Sequence, residues 1–331
     1  MSTSTSLLFL HLLADRKLNP GAVLLTFGSG DGDSLLPLLL DPDFVAFSAT
    51  FPCLLDGDGV APLSDNLRQT LLDQGCLLLP GDVFHHADGP GKPVLPPATQ
   101  WLSGSWYLAP PAKPVGNKTL SRAMAVKLVQ LVAADADTRE IEDIFRRDPT
   151  LSYNLLRLVN SLGIGANKKI SSFSQAILML GRQQLRRWLN LMLFAAQKDD
   201  PRSAMLLARV AVRARSMELL AKANGLDRSG QELAFMAGMF SLLGILFGQP
   251  LSEVLKPLQV SDMLAGAVIR HEGDLGRLLL AVDAAERGDG EGLSALLGDM
   301  QLTAGEFNKL NIEAHTWMLG VIRDSPGGTH A

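Results

Sequence analysis

The stretch from Asp148 to Trp188 reads DPTLSYNLLRLVNSLGIGANKKISSFSQAILMLGRQQLRRW. Asp148-Pro149 puts a proline at the first position of a helix, where its missing N–H is no loss. The apolar run from Leu155 to Val159 continues that helix. A loop carrying Gly163, Gly165, Lys168 and Lys169 follows. Ser172-Phe173-Ser174-Gln175 has the spacing of a capping box, which starts a second helix. That helix ends in the basic cluster Arg182, Arg186, Arg187 and Trp188, with Arg182 and Arg186 one turn apart. Helix, basic loop, capped helix and basic helix in this order predict an all-helical region.

The helical pattern extends through the rest of the chain. Thr119 or Ser121 opens a helix to Ala134, and Thr138 caps Glu140 to Arg147. Asp200-Pro201 opens one that runs to about Asn224 and is closed by Gly225. Ser229 to Phe247, Val260 to Arg270, Leu275 to Arg287 and Thr303 to Arg323 are further predicted helices. Ser325 to Ala331 reads as a frayed tail.

Upstream, the chemistry is different. Residues 1–115 hold 5 Lys/Arg against 11 Asp and no Glu, a net of −6, whereas residues 116–331 hold 25 Lys/Arg against 23 Asp/Glu, a net of +2. Glycine and proline concentrate in the first part, and the change falls at Ala109 to Gly116, a proline-rich edge. Short apolar runs there suit parallel strands buried on both faces. Strands are expected at Ala22 to Phe27, Phe44 to Phe47 and Gly75 to Leu79, with helices at Leu35 to Leu40 and Leu67 to Gln74. Leu7 to Ala14 lacks the basic flank of a signal peptide and is expected to be an amphipathic first helix. No stretch approaches eighteen uncharged apolar residues, so no membrane span is expected.

The net charge of −4 argues against a chain-wide nucleic-acid binder. Cys53 and Cys76 are the only cysteines. They form no metal-ligand pattern, and a reduced cytoplasmic setting is expected.

From Leu120 to about Glu291 the chain resembles an HDOD domain, a relative of the metal-dependent HD phosphohydrolases. The motifs are Asp148-Pro149, Leu155 to Ser161, Lys169 to Ala176, Leu180 to Trp188, Ala234 to Gly244 and His271 to Arg277. In HD enzymes the segment matching Gly238 to Gly244 carries adjacent His and Asp. Here those positions hold Ser241 and Leu242, which cannot replace an imidazole and a carboxylate as ligands. His271 is the only histidine between residues 87 and 314, and it reads as a helix-end or surface residue.

Gly21 to Ala49 and Trp101 to Pro110 resemble the later part of an EAL domain, the barrel that hydrolyses cyclic di-GMP. The metal-binding Asp-Asp pair of that family falls on Leu25 and Thr26, its lysine on Ala46 and a glutamine on Ser103. Two-metal hydrolysis needs carboxylates, and this region contains no glutamate. Asp31 and Asp33 read as polar turn residues, with a metal pair as the other reading.

The expected fold class is therefore α/β plus all-α. A truncated EAL-like partial β/α-barrel domain (1–112) is followed by a linker (113–118), an HD-related helical bundle (119–325) and a flexible tail (326–331). The resemblance implies a non-catalytic bacterial signalling scaffold that binds other signalling proteins, with no catalytic residue, metal or cofactor. Neither membrane nor nucleic acid is an expected partner, and a homodimer is one arrangement open to it. Lys168, Lys169, Arg182, Arg186, Arg187 and Trp188 form the candidate interaction surface. Their alternative reading is a solvated face whose arginines pair with carboxylates. Two other functions stay open: a non-hydrolysing sensor of cyclic di-GMP or another nucleotide, and a divergent phosphohydrolase using Asp31, Asp33, His85 and His86.

Overall fold

A computed structural model describes residues 6–57, 63–89, 92–110, 187, 200–256 and 260–323. The first part is a six-stranded mixed sheet. Its strands are β1 (Leu8–Ala14), β2 (Pro20–Phe27), β3 (Cys53–Asp56), β4 (Leu77–Leu79), β5 (Phe84–His86) and β6 (Trp101–Ser103), in the order β4-β3-β2-β1-β6-β5. β1 runs antiparallel to both β2 and β6; the other neighbours are parallel.

Two expectations are corrected here. Leu7 to Ala14 is not an amphipathic helix. Residues 8–14 form β1, and every one of them but His11 is buried. An apolar run with no polar face fits a central strand covered on both sides better than an amphipathic helix. Phe44 to Phe47 is not a strand; it lies in α2 (Pro42–Thr50). The Asp41 carboxylate accepts a hydrogen bond from the Asp43 N–H, and Pro42 occupies the first turn. Phe44 and Phe47 then fall three residues apart on the buried face while Val45 points out. The strand that follows is Cys53–Asp56.

Other expectations match closely. β2 includes Ala22 to Phe27, and α3 (Asp65–Asp73) covers most of Leu67 to Gln74, capped by Ser64. β4 is the last part of the expected Gly75 to Leu79 strand. Leu35 to Leu40 becomes a three-ten turn running into the short α1 (Leu36–Leu39).

The described helical residues are organised around α4 (Ser203–Ala223), buried along most of its length. It ends at Asn224, with Gly225 in the left-handed region as expected. The helix expected at Ser229 to Phe247 is two: α5 (Arg228–Phe240) and α6 (Leu243–Phe247). Ser241 Oγ donates to the Gly238 carbonyl at 2.7 Å, and the chain breaks there. α7 (Leu251–Leu255), α8 (Asp262–Arg270), α9 (Gly273–Arg287), α10 (Gly290–Asp299) and α11 (Ala304–Arg323) follow. α7 and α10 were not anticipated. Residues Arg228–Phe247 are long and apolar enough to cross a membrane by length and composition, but they include the charged Glu232, and most of the span is packed inside the fold like a core helix.

The sheet and the helices share one hydrophobic cluster, which includes Leu8, Leu25 and Trp106 as well as Val210, Leu278 and Met318. β6 pairs with β1 only at Ala14 and Leu102. Among the described residues, much of the outer edge of β1 therefore has no strand partner, and α11 covers it. Asn308 Oδ1 accepts from the Leu8 N–H at 2.9 Å, and Asn308 Nδ2 donates to the Ser6 carbonyl at 2.9 Å. Asn311 Nδ2 donates to the Leu8 carbonyl at 3.3 Å. His315, whose Nδ1 lies 2.8 Å from the Asn311 carbonyl, faces the Leu10 backbone one turn further on. Side chains at i, i+3 and i+7 of one helix thus meet alternate residues of a strand. Seven helical residues advance about 10 Å and four strand residues about 13 Å, so the two ladders keep rough step.

Candidate functional site

Ser241 and Leu242 stand at the junction of α5 and α6, on the side facing α4. Gly238 sets the approach: a Cβ there would lie 2.7 Å from Ala214 Cα, so the α4 and α5 backbones touch. Leu242 is buried. Ser241 Oγ accepts a hydrogen bond from Arg213 Nη1 at 3.0 Å.

Arg213 is the centre of a buried ionic cluster. Its Nη2 reaches Asp283 Oδ1 at 2.6 Å, and its Nε donates to Glu286 Oε1 at 3.0 Å. A second bond joins Nη2 to Glu286 Oε2. One turn earlier on α4, Arg209 donates from Nε and Nη2 to the Tyr107 hydroxyl at 3.0 and 2.6 Å. Arg209 Nη1 lies 3.6 Å from Glu286 Oε1. Asp283 also sits 3.6 Å from His271 Nε2. His271 itself caps the end of α8 in a left-handed conformation and is part-exposed, as a helix-end histidine should be.

The electrostatics close on themselves. Burial would raise the Glu286 carboxyl, but Arg213 and Arg209 outweigh it and hold the group below its ordinary value. Burial raises Asp283, partly opposed by Arg213. Burial would lower the two arginines, but Glu286 and, for Arg209, the Tyr107 hydroxyl keep them raised. Two guanidiniums face two carboxylates. A divalent cation placed here would meet two fixed positive charges, and its nearest protein groups would be a serine hydroxyl and carboxylates already engaged. These residues do not fit an HD-type metal. Among the described residues, no group of three or more His, Cys, Asp or Glu side chains is arranged to hold a metal ion.

The remaining candidate residues are scattered. Leu25 is buried in β2, and Thr26 Oγ1 lies 2.8 Å from His11 Nε2. Ala46 is on helix α2, so the equivalence that put it on a strand does not hold. Ser103 ends β6, 3.1 Å from His86 Nδ1, and His86 Nε2 lies 2.8 Å from Asp88. Asp31 caps the three-ten turn at Gly32–Leu35, and the Ser64 hydroxyl donates to Asp33. Both aspartates thus have turn-building roles. β2, which leads to them, and β5, which carries His85 and His86, are three strand spacings apart, about 14 Å. The fold does not bring these four residues together.

Lys168, Lys169, Arg182, Arg186 and Trp188 lie outside the described residues, as do the 113–118 linker and the 326–331 tail. Arg187 is described, and it is turned inward. Its Nη2 is 2.6 Å from Glu218 Oε1, its Nε donates to Glu232 at 2.9 Å, and its guanidinium stacks 4.4 Å from the Phe235 ring centre. Its exposure is only 13%. It is an internal tie, not an open contact point.

Sequence reasoning passed over Tyr107, Arg209, Arg213, Asp283 and Glu286. A signal was present: Arg209 and Arg213 are four apart in the otherwise apolar Leu206 to Ala214, so a buried helix face carries two charges that need partners.

The HDOD domain family matches residues 120–259. The chain is 29% identical over 189 residues to cyclic di-GMP phosphodiesterase CdgJ of Vibrio cholerae, a match covering 57% of this chain and 43% of that protein. It is 27% identical over 192 residues to the uncharacterized protein YuxH of Bacillus subtilis, covering 57% of this chain and 46% of that one. The chain thus spans less than half the length of these curated relatives. A crystal structure of an HDOD domain protein of unknown function from Geobacter sulfurreducens overlaps with a TM-score of 0.37 at 18% identity, over 63% of this chain and 83% of that one. The region 120–259 is an HDOD domain, joined to a mixed α/β sheet region.

Proposed function

We propose that this chain is a non-catalytic bacterial signalling protein that acts by binding other signalling proteins, with a shortened EAL-like sheet built onto its HDOD region. The reading rests on one observation above all: Ser241, which with Leu242 is aligned by the resemblance to the His-Asp pair of an HD enzyme, accepts a hydrogen bond from Arg213, whose guanidinium also binds Asp283 and Glu286. A buried protein cation beside these positions supplies neither an activated water nor an open coordination position, which supports the non-catalytic reading. The scaffold reading predicts an interaction surface outside this cluster. Lys168, Lys169, Arg182, Arg186 and Trp188 remain its candidates, in a cytoplasmic protein that works alone or as a homodimer. Arg187, bound internally, is not a candidate.

The test is a pair of measurements on the full chain. Incubation with cyclic di-GMP and with bis(p-nitrophenyl) phosphate, each with Mg2+ or Mn2+, should give no turnover above buffer. Metal-dependent turnover lost on Asp283→Asn would overturn the non-catalytic reading. Capture from native lysate should retain defined partners that an Arg182→Glu, Arg186→Glu variant loses; identical partners for both proteins would remove the basic helix from the proposal.

A second reading, a sensor that binds cyclic di-GMP without cleaving it, draws on the name of the Vibrio cholerae relative. Isothermal titration with cyclic di-GMP separates the two. Micromolar binding supports the sensor; a flat titration supports the scaffold.

A further inference from the structure

Cys53 opens β3, and Cys76 stands one residue before β4. The two strands are parallel, in a register that pairs Leu54 with Leu77 and Asp56 with Leu79. One residue earlier on each strand, the same register sets Cys53 beside Cys76. Neighbouring strands lie about 4.8 Å apart, and a disulfide needs Cα atoms roughly 4.4–6.8 Å apart. Paired positions send their side chains to the same face. Both thiols are buried there in the same cluster, and the Cys53 thiol donates to the Phe51 carbonyl at 3.5 Å.

Buried cysteines commonly serve as small apolar residues. Two features distinguish this pair. The first is position: Cys76 adjoins the edge strand β4, while Cys53 lies on β3, one strand further in, so opening of the edge reaches Cys76 first and leaves Cys53 beside it to resolve the product. The second is access. β4 is a three-residue edge strand with Leu77 and Leu78 exposed, and Gly75 precedes Cys76 with a φ of 81°. A short edge strand opens locally at lower free energy than the sheet centre, and such opening brings solvent to Cys76.

We propose that Cys53 and Cys76 are a peroxide-oxidised dithiol that closes to a reversible intrachain disulfide and fastens β4 to β3. In the first step the Cys76 thiolate attacks one oxygen of hydrogen peroxide. The O–O bond breaks, Cys76 becomes a sulfenic acid, and hydroxide leaves to be protonated to water. In the second step the Cys53 sulfur attacks the Cys76 sulfur. The S–S bond forms, the S–O bond breaks, and the Cys53 proton leaves with hydroxide as a second water. Two thiols are oxidised by two electrons, and one peroxide is reduced to two waters. The closed loop spans residues 54–75 and carries α3, so oxidation would fix the sheet's apolar edge and its neighbouring helix together.

The experiment is peroxide titration of the full-length protein. Thiols are counted after denaturation, intact mass is read without reductant, and peptides are mapped. The expected result is loss of both thiols together, a mass lower by two hydrogens, a Cys53–Cys76 cross-linked peptide, and full return of both thiols with dithiothreitol. Cys53→Ser should leave Cys76 as a sulfenic acid that dimedone labels, while Cys76→Ser should leave Cys53 unreacted at the same dose. Survival of both wild-type thiols at a dose that consumes free cysteine in the same tube would overturn the proposal. So would an oxidised product that is an intermolecular dimer or a sulfinic acid. The wild-type measurement decides the matter even if a variant folds poorly.

Discussion

Arg213 shows how one side chain can set the character of a site. Its guanidinium forks to Ser241, Asp283 and Glu286, and no smaller cation on a flexible stem could span all three. Arg213→Ala should destabilise the protein by about 3–5 kcal/mol, because Glu286 and Asp283 would stay buried with a partner removed; the urea midpoint of the full chain measures it. His315 sets a second, pH-dependent contribution. Burial lowers its ring to about 4, against bonds to the Asn311 and Leu10 backbone that favour the charged form, while its ordinary value is 6.5. The unfolded chain therefore binds a proton that the folded chain refuses. Stability is greatest above about pH 6.5 and falls as pH drops toward 4, by up to about 3 kcal/mol for this group. His11 is lowered to about 4 mainly by burial and acts in the same window. Urea midpoints at pH 7 and pH 4.5 should differ less in His315→Leu than in the wild type; an unchanged difference would exclude His315 as a source.

At the level of elements, the helix α11 does the work of a strand. Asn308 is fully buried and serves both Leu8 and Ser6. Asn308→Ala should cost about 1–3 kcal/mol, since it leaves the Leu8 N–H unsatisfied, and hydrogen exchange should show the Leu8 amide losing protection more than amides in β3. Much of this architecture was legible. The Asp200-Pro201 start and Gly225 stop bounded α4, and the β2 and α3 patterns were plain. β1 was not legible as a strand, because a run buried on both faces carries no two-residue period. α2 is hidden for a related reason: Phe44-Val45-Ala46-Phe47 is apolar throughout, and only the Asp41-Pro42 cap and first turn mark it as a helix. The ionic cluster was legible only in part. The Arg209 and Arg213 spacing announced buried charge, but Asp283 and Glu286 lie some seventy residues away on α9, and only the fold brings them into reach.

The whole molecule joins two chemically different halves through one core. Arg209 binds Tyr107, and Arg202 donates to the Ala109 carbonyl, so the end of the sheet region is tied to α4 as firmly as α4 is tied to α9. With a shared cluster and these ties, β2 and α4 should unfold in one step. Native-state hydrogen exchange should give their slowest amides the same limiting free energy. A β2 value lower by several kcal/mol would mean that the sheet opens independently, a property a signalling scaffold could use to release a partner.

The α11 ladder also sets an order of events during synthesis. Leu8 and Asn308 are 300 residues apart. At roughly 5–20 residues per second, the ribosome delivers Asn308 some 15–60 s after β1 emerges. Throughout that interval much of the outer edge of β1 has no helix to cover it, and it offers an apolar template to any nascent neighbour. The final fold conceals this exposure; the growing chain must survive it, by a chaperone's cover or by keeping β1 unpaired until its last helix arrives.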